Sequence, residues 1–323
     1  MLKVYDAPGG RLQACGVSEI ADPRAIWLDL LSPTDDEDAA TEAAIKIDVP
    51  TRSEMREIEA SNRFYTENGA IYMTALVLHH DETGVLKTSP ITFILAGKRL
   101  VTVRYAEPKA FELYLSRAAK PGHGCRNGAE VMAGLIETII AREADLIERL
   151  QDEVETTAPR VFAQHGSRKP ASGQLAMVLS DIGKAGDIVG RAQESANSVN
   201  RLLHYAAAAL RARKEEAALM ERCEAAIADI ASLIESLRFL SARIAFLLDA
   251  TLGLISNEQN QIIKLFSVMA VVLMPPTLIA SIYGMNFDNM PELHWPHGYW
   301  IALAAMVVAA IAPYLYFRSR GWF

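Results

Sequence analysis

The tripeptide Gly284-Met285-Asn286 ends one long apolar stretch and opens a short linker to a second. An amide oxygen at Asn286, repeated around an axis by several copies of the chain, would make a ring of neutral oxygens. A small hard cation such as Mg²⁺ prefers six oxygen ligands and gives up its water reluctantly. Neutral oxygens can accept hydrogen bonds from that water without stripping it. A ring of carboxylates would hold the ion too tightly to release it, and conduction requires release. Upstream, Asn260, Ile263, Ser267, Ala270, Met274, Thr277 and Ser281 recur at steps of three or four, so they share one helical face. That face is small or polar enough to line a path for ions. These residues also have plainer uses. Ser and Thr in a membrane helix bond their own backbone or pack helices together, and Gly-Met-Asn also serves as a tight turn. Gly284 is expected to close its helix in the left-handed conformation, aiming the last carbonyls and the negative dipole end at the outer mouth. Pro275 and Pro276 withhold two backbone donors, which either kinks the helix or frees carbonyls for a cation. Asp288 and Glu292, in the linker, either raise the local cation concentration or are ordinary solvated loop residues.

The elements that position this set are two spans. Leu265 to Tyr283 and Tyr299 to Phe317 carry no charged side chain, and each matches the roughly 20 residues that cross about 30 Å of hydrocarbon. The linker between them has no Lys or Arg, whereas Lys264 precedes the first span and Arg318 and Arg320 follow the second. The positive-inside rule therefore puts both termini in the cytoplasm. Tyr283, Trp295, Tyr299, Trp300, Tyr314, Tyr316 and Trp322 sit near the span ends, as interfacial aromatics do. Two spans cannot enclose a water-filled path, so a pore needs several copies.

The first 127 residues read as mixed α and β. Ala25 to Leu30, Ala70 to Leu78, Ile91 to Leu95 and Leu100 to Tyr105 read as strands, the last two forming a hairpin across Ala96-Gly97-Lys98-Arg99. Thr34 with Glu37, and Thr51 with Glu54, are capping boxes, each opening a helix. From 128 to 260 the pattern is helical: Ala129 to Gln164, a turn over His165 to Gln174, Leu175 to Tyr205, and a third helix from near Ala217. That third helix meets no breaker before Pro275 except Gly253, so it is expected to run straight into the first span as a stalk about 100 Å long at 1.5 Å per residue. The pore domain is then 261–323.

Composition narrows the function classes. The 323 residues carry a formal net charge of −7, which argues against a nucleic-acid partner, since phosphate affinity needs clustered Lys and Arg. Cys15, Cys125 and Cys223 lie far apart with no CxxC, so neither a zinc site nor a disulfide framework is expected. The N-terminus has no apolar run of the signal-peptide kind. No Gly-x-x-x-x-Gly-Lys-[Ser/Thr] motif supports ATP hydrolysis. His79 and His80 point to opposite faces of a strand, which makes no compact catalytic or metal pair, and no enzymatic activity or cofactor is expected.

Tyr283-Gly284-Met285-Asn286-Phe287, Met290-Pro291-Glu292-Leu293, Gly298-Tyr299, Met274-Pro275-Pro276-Thr277 and the Arg318-to-Phe323 tail resemble the CorA family of magnesium and cobalt transport proteins. The resemblance reaches Asn257-Glu258-Gln259-Asn260, and more weakly Thr51 to Met55 and Leu100 to Tyr105. It implies an α+β cytosolic domain, a long stalk helix and a two-span transmembrane hairpin, assembled as a funnel-shaped homopentamer in the cytoplasmic (inner) membrane. It implies passive entry of hydrated Mg²⁺, and of Co²⁺, driven by membrane potential and gated by intracellular Mg²⁺. Gly284, Met285 and Asn286 would be the selectivity filter, with Asn260, Ile263, Phe266, Met274 and Thr277 at pore-lining positions and Ile263 and Phe266 as hydrophobic constrictions. A regulatory metal would sit at acidic residues between subunits, for which Asp229 and Glu221 are the candidates here. The ZntB branch, associated with zinc, departs from Gly-Met-Asn-Phe and Met-Pro-Glu-Leu in its outer loop; this chain keeps both. A membrane-anchored scaffold or sensor is the alternative from another class.

Overall fold

A computed structural model describes all residues except 58, 121–124, 163–171, 214–216, 286–289, 291–294 and 321–323, in two compact units, Met1–Leu248 and Asp249–Phe323. The first unit is built on seven strands: β1 (Leu2–Asp6), β2 (Gln13–Cys15), β3 (Ala25–Leu31), β4 (Phe64–Glu67), β5 (Ala70–His80), β6 (Leu86–Ala96) and β7 (Arg99–Arg104). They form one sheet in the order β2-β1-β3-β7-β6-β5-β4, in which β3 and β7 are parallel and the other pairs antiparallel. Its helices are α1 (Asp35–Ile45), the single turn α2 (Ala60–Arg63), α3 (Lys109–Ala118), α4 (Gly128–Phe162) and α5 (Ser172–Ala212). Helix α6 (Ala217–Tyr283) carries the chain from the first unit into the second, which also holds α7 (Gly298–Ser319).

Period-two alternation sorts the strand residues to two faces. One face packs Leu28, Leu30, Val101, Val103, Tyr72 and Ile94 with Ile47, Val49 and Met55 from the segment after α1. The other carries Trp27, Asp29, Thr102 and Arg104. There the Arg104 guanidinium donates to both Asp29 carboxylate oxygens (2.9 and 2.7 Å) and to the Ala106 carbonyl (2.9 Å). Thr102 donates to Asp29 (2.8 Å), and the Trp27 indole donates to Thr102 (3.0 Å). Phe111 of α3 lies 4.6 Å from the guanidinium carbon. A fully desolvated ion pair survives only with this degree of hydrogen bonding.

Strand β4 pairs with β5 only as far as Met73, which would leave the rest of that edge unpaired. Helix α5 fills in. Leu76 N–H donates to Ser198 Oγ (2.9 Å), and Ser195 Oγ donates to the Leu76 carbonyl (3.0 Å). Two serines thus stand in for a missing strand. Helix α4 docks on the start of β7 through Gly128, whose N–H donates to the Lys98 carbonyl (2.7 Å). A Cβ at Gly128 would overlap the Leu100 backbone nitrogen. Along α6, Leu219, Cys223, Ala226, Ile230, Ile234, Leu237, Leu240, Ile244 and Leu247 are buried at steps of three and four. Arg222 of α6 forks onto Glu137 of α4 (2.8 and 2.9 Å).

The Thr34–Glu37 capping box is complete and opens α1. The Thr51–Glu54 box also closes in both directions (2.8 and 3.4 Å), but it opens only a 3₁₀ turn, Glu54–Arg56. A cap satisfies orphan donors without supplying the apolar stripe that prolongs a helix. Residues Ser172 to Gln174, expected in a turn, are the first turn of α5; the rest of the expected turn, 165–171, lies outside the described residues.

Candidate functional site

The site is built on the second unit. Helix α6 continues through Pro275 and Pro276 to Tyr283. At 3.6 residues per turn, the covered residues of α6 gather on one side. Val268 is buried, at 5 % exposure, and Val272, Pro275, Pro276, Ile279 and Tyr283 are half-buried. These lie within about 100° of arc, counting about 100° per residue. On the other side Asn260, Ile263, Ser267, Ala270, Met274, Thr277 and Ser281 are all exposed, with Ile263 at 61 % and Met274 at 69 %. Phe266, at 63 %, sits at the edge of that stripe. Helix α7 has its own covered face: buried Ala302, then Met306, Ala309, Ala310, Pro313 and Phe317. The face singled out by residue type is part of a wider uncovered surface of α6, which also carries Leu265, Leu273 and Leu278.

The end of α6 differs from the expected form. Gly284 is absent from the residues with positive φ, which include Gly9, Gly10, Gly69, Gly84 and Gly97. Gly284 N–H donates to the Ala280 carbonyl (2.9 Å) and Met285 N–H to the Ile282 carbonyl (3.3 Å), so the helix tightens into a last 3₁₀-like turn instead of reversing hand. Glycine fits here for a different reason: a Cβ would lie 3.1 Å from the Ala280 oxygen. Asn286, Asp288 and Glu292 lie outside the described residues.

Thr277 donates its hydroxyl proton to the Leu273 carbonyl, four residues back (2.7 Å). The two readings of this residue are thus compatible. With its proton committed to the backbone, Oγ1 offers only lone pairs outward, and a hydrated cation presents protons. Pro275 and Pro276 remove the N–H groups that would reach the carbonyls of Val271 and Val272. Val272 is on the covered face, and Val271 is exposed beside the stripe.

In the first unit, Asp229 and Glu221 are both exposed on α6. Asp229 lines a shallow groove that also holds Glu137 and Arg222, and the Arg222 guanidinium occupies Glu137 (2.8 Å). Among the described residues of one copy, no three His, Cys, Asp or Glu side chains are grouped to hold a metal. The buried Glu143 was not singled out by sequence. Its carboxyl is 3 % exposed between α4 and α5, next to Ser195. Burial pushes it up from 4.5 to about 8, and the Ser195 hydrogen bond opposes that only in part. A Glu on an otherwise apolar face of a helix was the available signal: Ile136, Ile139, Ile140, Ile147 and Leu150 surround it on α4.

Residues 22–319 match the family described as CorA-like Mg²⁺ transporter protein. The chain is 33 % identical to the magnesium transport protein CorA of Escherichia coli K12, over all of both chains. Its fold matches the CorA magnesium transporter of Methanocaldococcus jannaschii with a TM-score of 0.76 at 20 % identity, covering 100 % of this chain and 99 % of that one. The ZntB cytoplasmic domain of Vibrio parahaemolyticus matches with a TM-score of 0.59 at 11 % identity, covering 80 % of this chain and 97 % of that one. The fold of the first unit is thus common to both branches and does not distinguish them.

Proposed function

The chain belongs to the CorA-like Mg²⁺ transporter family, and from that premise we propose that it conducts Mg²⁺ through a pore lined by the exposed stripe of α6. The observation that carries this reading is the stripe itself. A two-helix membrane unit that turns Asn260, Ser267, Thr277 and Ser281 outward, away from its covered face, needs something other than lipid to face them. Other copies of the chain around an axis supply both the neighbours and the path. Five copies follow from the family resemblance, as do Asn286 as the outer ring reading hydrated Mg²⁺ and Gly284-Met285 as its support. Asn260, Ile263, Phe266, Ala270, Met274, Thr277 and Ser281 line the path, with Ile263 and Phe266 as dewetting constrictions. Asp288 and Glu292 attract cations at the mouth. The protein sits in the cytoplasmic membrane with both termini inside, as Lys264, Arg318 and Arg320 direct. Entry needs no coupled energy source. A divalent ion moving to an inside-negative compartment gains about 4.6 kcal/mol per 100 mV, at about 2.3 per charge. Internal Mg²⁺ feeds back through acidic residues shared between subunits, with Asp229 and Glu221 as candidates.

The test is ion uptake into proteoliposomes at inside-negative potential, comparing Mg²⁺, Co²⁺ and Zn²⁺ and varying internal Mg²⁺. Mg²⁺ entry that declines as internal Mg²⁺ rises is expected. Asn286→Ala abolishes uptake with assembly intact; undiminished flux in that variant would sink its role. Robust Zn²⁺ flux without Mg²⁺ flux moves the chain to the zinc branch, and no flux from an assembled protein leaves the tethered scaffold.

A further inference from the structure

A cleft of the first unit lies at one end of the sheet, far in sequence from the spans, and transport gives it no task. It is an open cleft of about 770 Å³, within the range of small-molecule sites and larger than a lone inorganic ion requires. Its walls come from the end of β1, the start of β3, the C-terminal end of α1, and the two tight turns that join β4 to β5 and β6 to β7.

Five cations line it against a single carboxylate. Three are already engaged. Arg24 forks onto Asp22 (2.7 Å), Arg99 donates to the carbonyls of Ile20 and Asp22 (3.4 and 2.7 Å), and Arg126 pairs with Glu130 (3.2 Å). Lys46 and Lys98 are exposed, and neither has an ion-pair partner among the described residues. The position of Lys46 is itself unusual. It ends α1 in the left-handed conformation, at φ 60° and ψ 49°, where glycine or asparagine avoids the penalty of about 1–2 kcal/mol that a Cβ brings. A strained residue that keeps a long cationic side chain at the rim of a cleft is a sign of use. The carboxylate is Asp6. Its carboxyl is half-buried beside the Cys15 thiol, and its Oδ1 accepts no hydrogen bond among the described residues. Pro8, Pro23 and Ile45 add exposed or half-exposed apolar surface.

We propose that this cleft binds a nucleoside phosphate, with Lys46 and Lys98 on the phosphates, Asp6 accepting from a ribose hydroxyl and the apolar wall against the base. An inorganic polyphosphate satisfies the lysines but leaves Asp6 repelled and the apolar wall bare. The nucleoside half is therefore needed to account for all the lining chemistry.

The experiment is equilibrium dialysis of the full-length protein in detergent with radiolabelled ATP in Mg²⁺-free buffer, competed by ADP, tripolyphosphate and adenosine. Saturable binding is expected, displaced well by ADP and poorly by tripolyphosphate or adenosine. The informative variant is Lys46→Gly with Lys98→Ala. Glycine relieves the left-handed backbone, so the melting temperature does not fall, while affinity drops at least about tenfold, as loss of two phosphate contacts requires. A second variant, Asp6→Asn, erases the preference for ATP over tripolyphosphate. Absence of saturable binding at millimolar ATP overturns the proposal. So does unchanged affinity in the folded double variant, and equal affinity for tripolyphosphate and ATP overturns its nucleoside part.

Discussion

Glu143 makes the stability of the first unit depend on pH with an unusual sign. The Ser195 hydroxyl touches both the Leu76 carbonyl and a Glu143 carboxyl oxygen, and it has one proton. The carbonyl can only accept, so both contacts are satisfied when Glu143 itself carries a proton. Its other oxygen is buried without a partner, which an ionised group tolerates badly. Burial therefore lifts the folded value to about 8 from 4.5. Below 4.5 both folded and unfolded chains hold the proton and the group is neutral in the balance. Between 4.5 and 8 only the folded chain holds it, so stability falls as pH rises. From pH 5 to pH 8 the loss comes to about 3–4 kcal/mol, taking 1.36 kcal/mol per pH unit. Glu143→Gln keeps the shape and a donor to Ser195 Oγ but cannot titrate. Thermal unfolding of the full-length wild type and variant at pH 5 and pH 8 isolates this group. His79, His80, Lys109, Arg142 and Arg149, which line the small cavity beside it, are present in both proteins. The variant is expected to gain about 7–14 °C on the wild type between the two pH values, at about 2–4 °C per kcal/mol for a unit of this size. A melting-temperature difference that stays constant across that range refutes the protonated carboxyl.

Two further perturbations test the packing of the first unit. Arg104→Leu strands the Asp29 carboxylate, which is 0 % exposed, and should destabilise by about 3–5 kcal/mol in denaturant titration; Asp29→Leu combined with it should recover much of the loss, and additive losses would contradict a coupled pair. Gly128→Ala forces a methyl into the Leu100 backbone, so α4 must shift off β7; hydrogen exchange of the Lys98 to Leu100 amides should accelerate in this variant, whereas Gly190→Ala, with open space around it, should leave them unchanged.

The parts of this fold legible in sequence are those governed by short-range rules. The capping box at Thr34, the hairpin at Gly97-Lys98 and the two spans all rest on residues within a few positions of one another. Strand β4 had such a signal too: Asn68 and Gly69, with φ of 50° and 78°, are the Asn-Gly turn that joins it to β5. The edge strand escaped notice because its exposed residues Thr66 and Glu67 offer no apolar alternation. What the sequence hid are pairings across long separations. Asp29 and Arg104 read as ordinary surface charges until β3 and β7 lie parallel, in register from Trp27 with Leu100 to Leu31 with Arg104. Glu143 and Ser195 meet only because α5 must supply the hydrogen bonds that β4 is too short to give β5.

The small and polar stripe on α6 obeys a rule that binds only in the membrane. In water, a polar face on a helix says little, because solvent satisfies it wherever it points. In hydrocarbon an unpartnered hydroxyl or amide is expensive, so small and polar residues must be assigned to a neighbour, to water or to their own backbone. Thr277 uses the third option for its proton, at Leu273, and leaves its lone pairs for one of the other two. Spacing puts Asn260 through Ser281 on one face, which lies within the wider exposed surface of α6 opposite Val268. The end of α6 marks the limit of such reasoning. Glycine there suits a left-handed residue, whereas the helix tightens and the glycine avoids a Cβ against the Ala280 oxygen. Both explanations predict glycine from sequence, and substitution separates them. A left-handed cap would tolerate asparagine at position 284, whereas a Cβ 3.1 Å from the Ala280 oxygen is a tight contact that must be relieved, so Gly284→Asn should disturb the last turn of α6 and lower Mg²⁺ flux. Full flux in that variant would restore the left-handed reading.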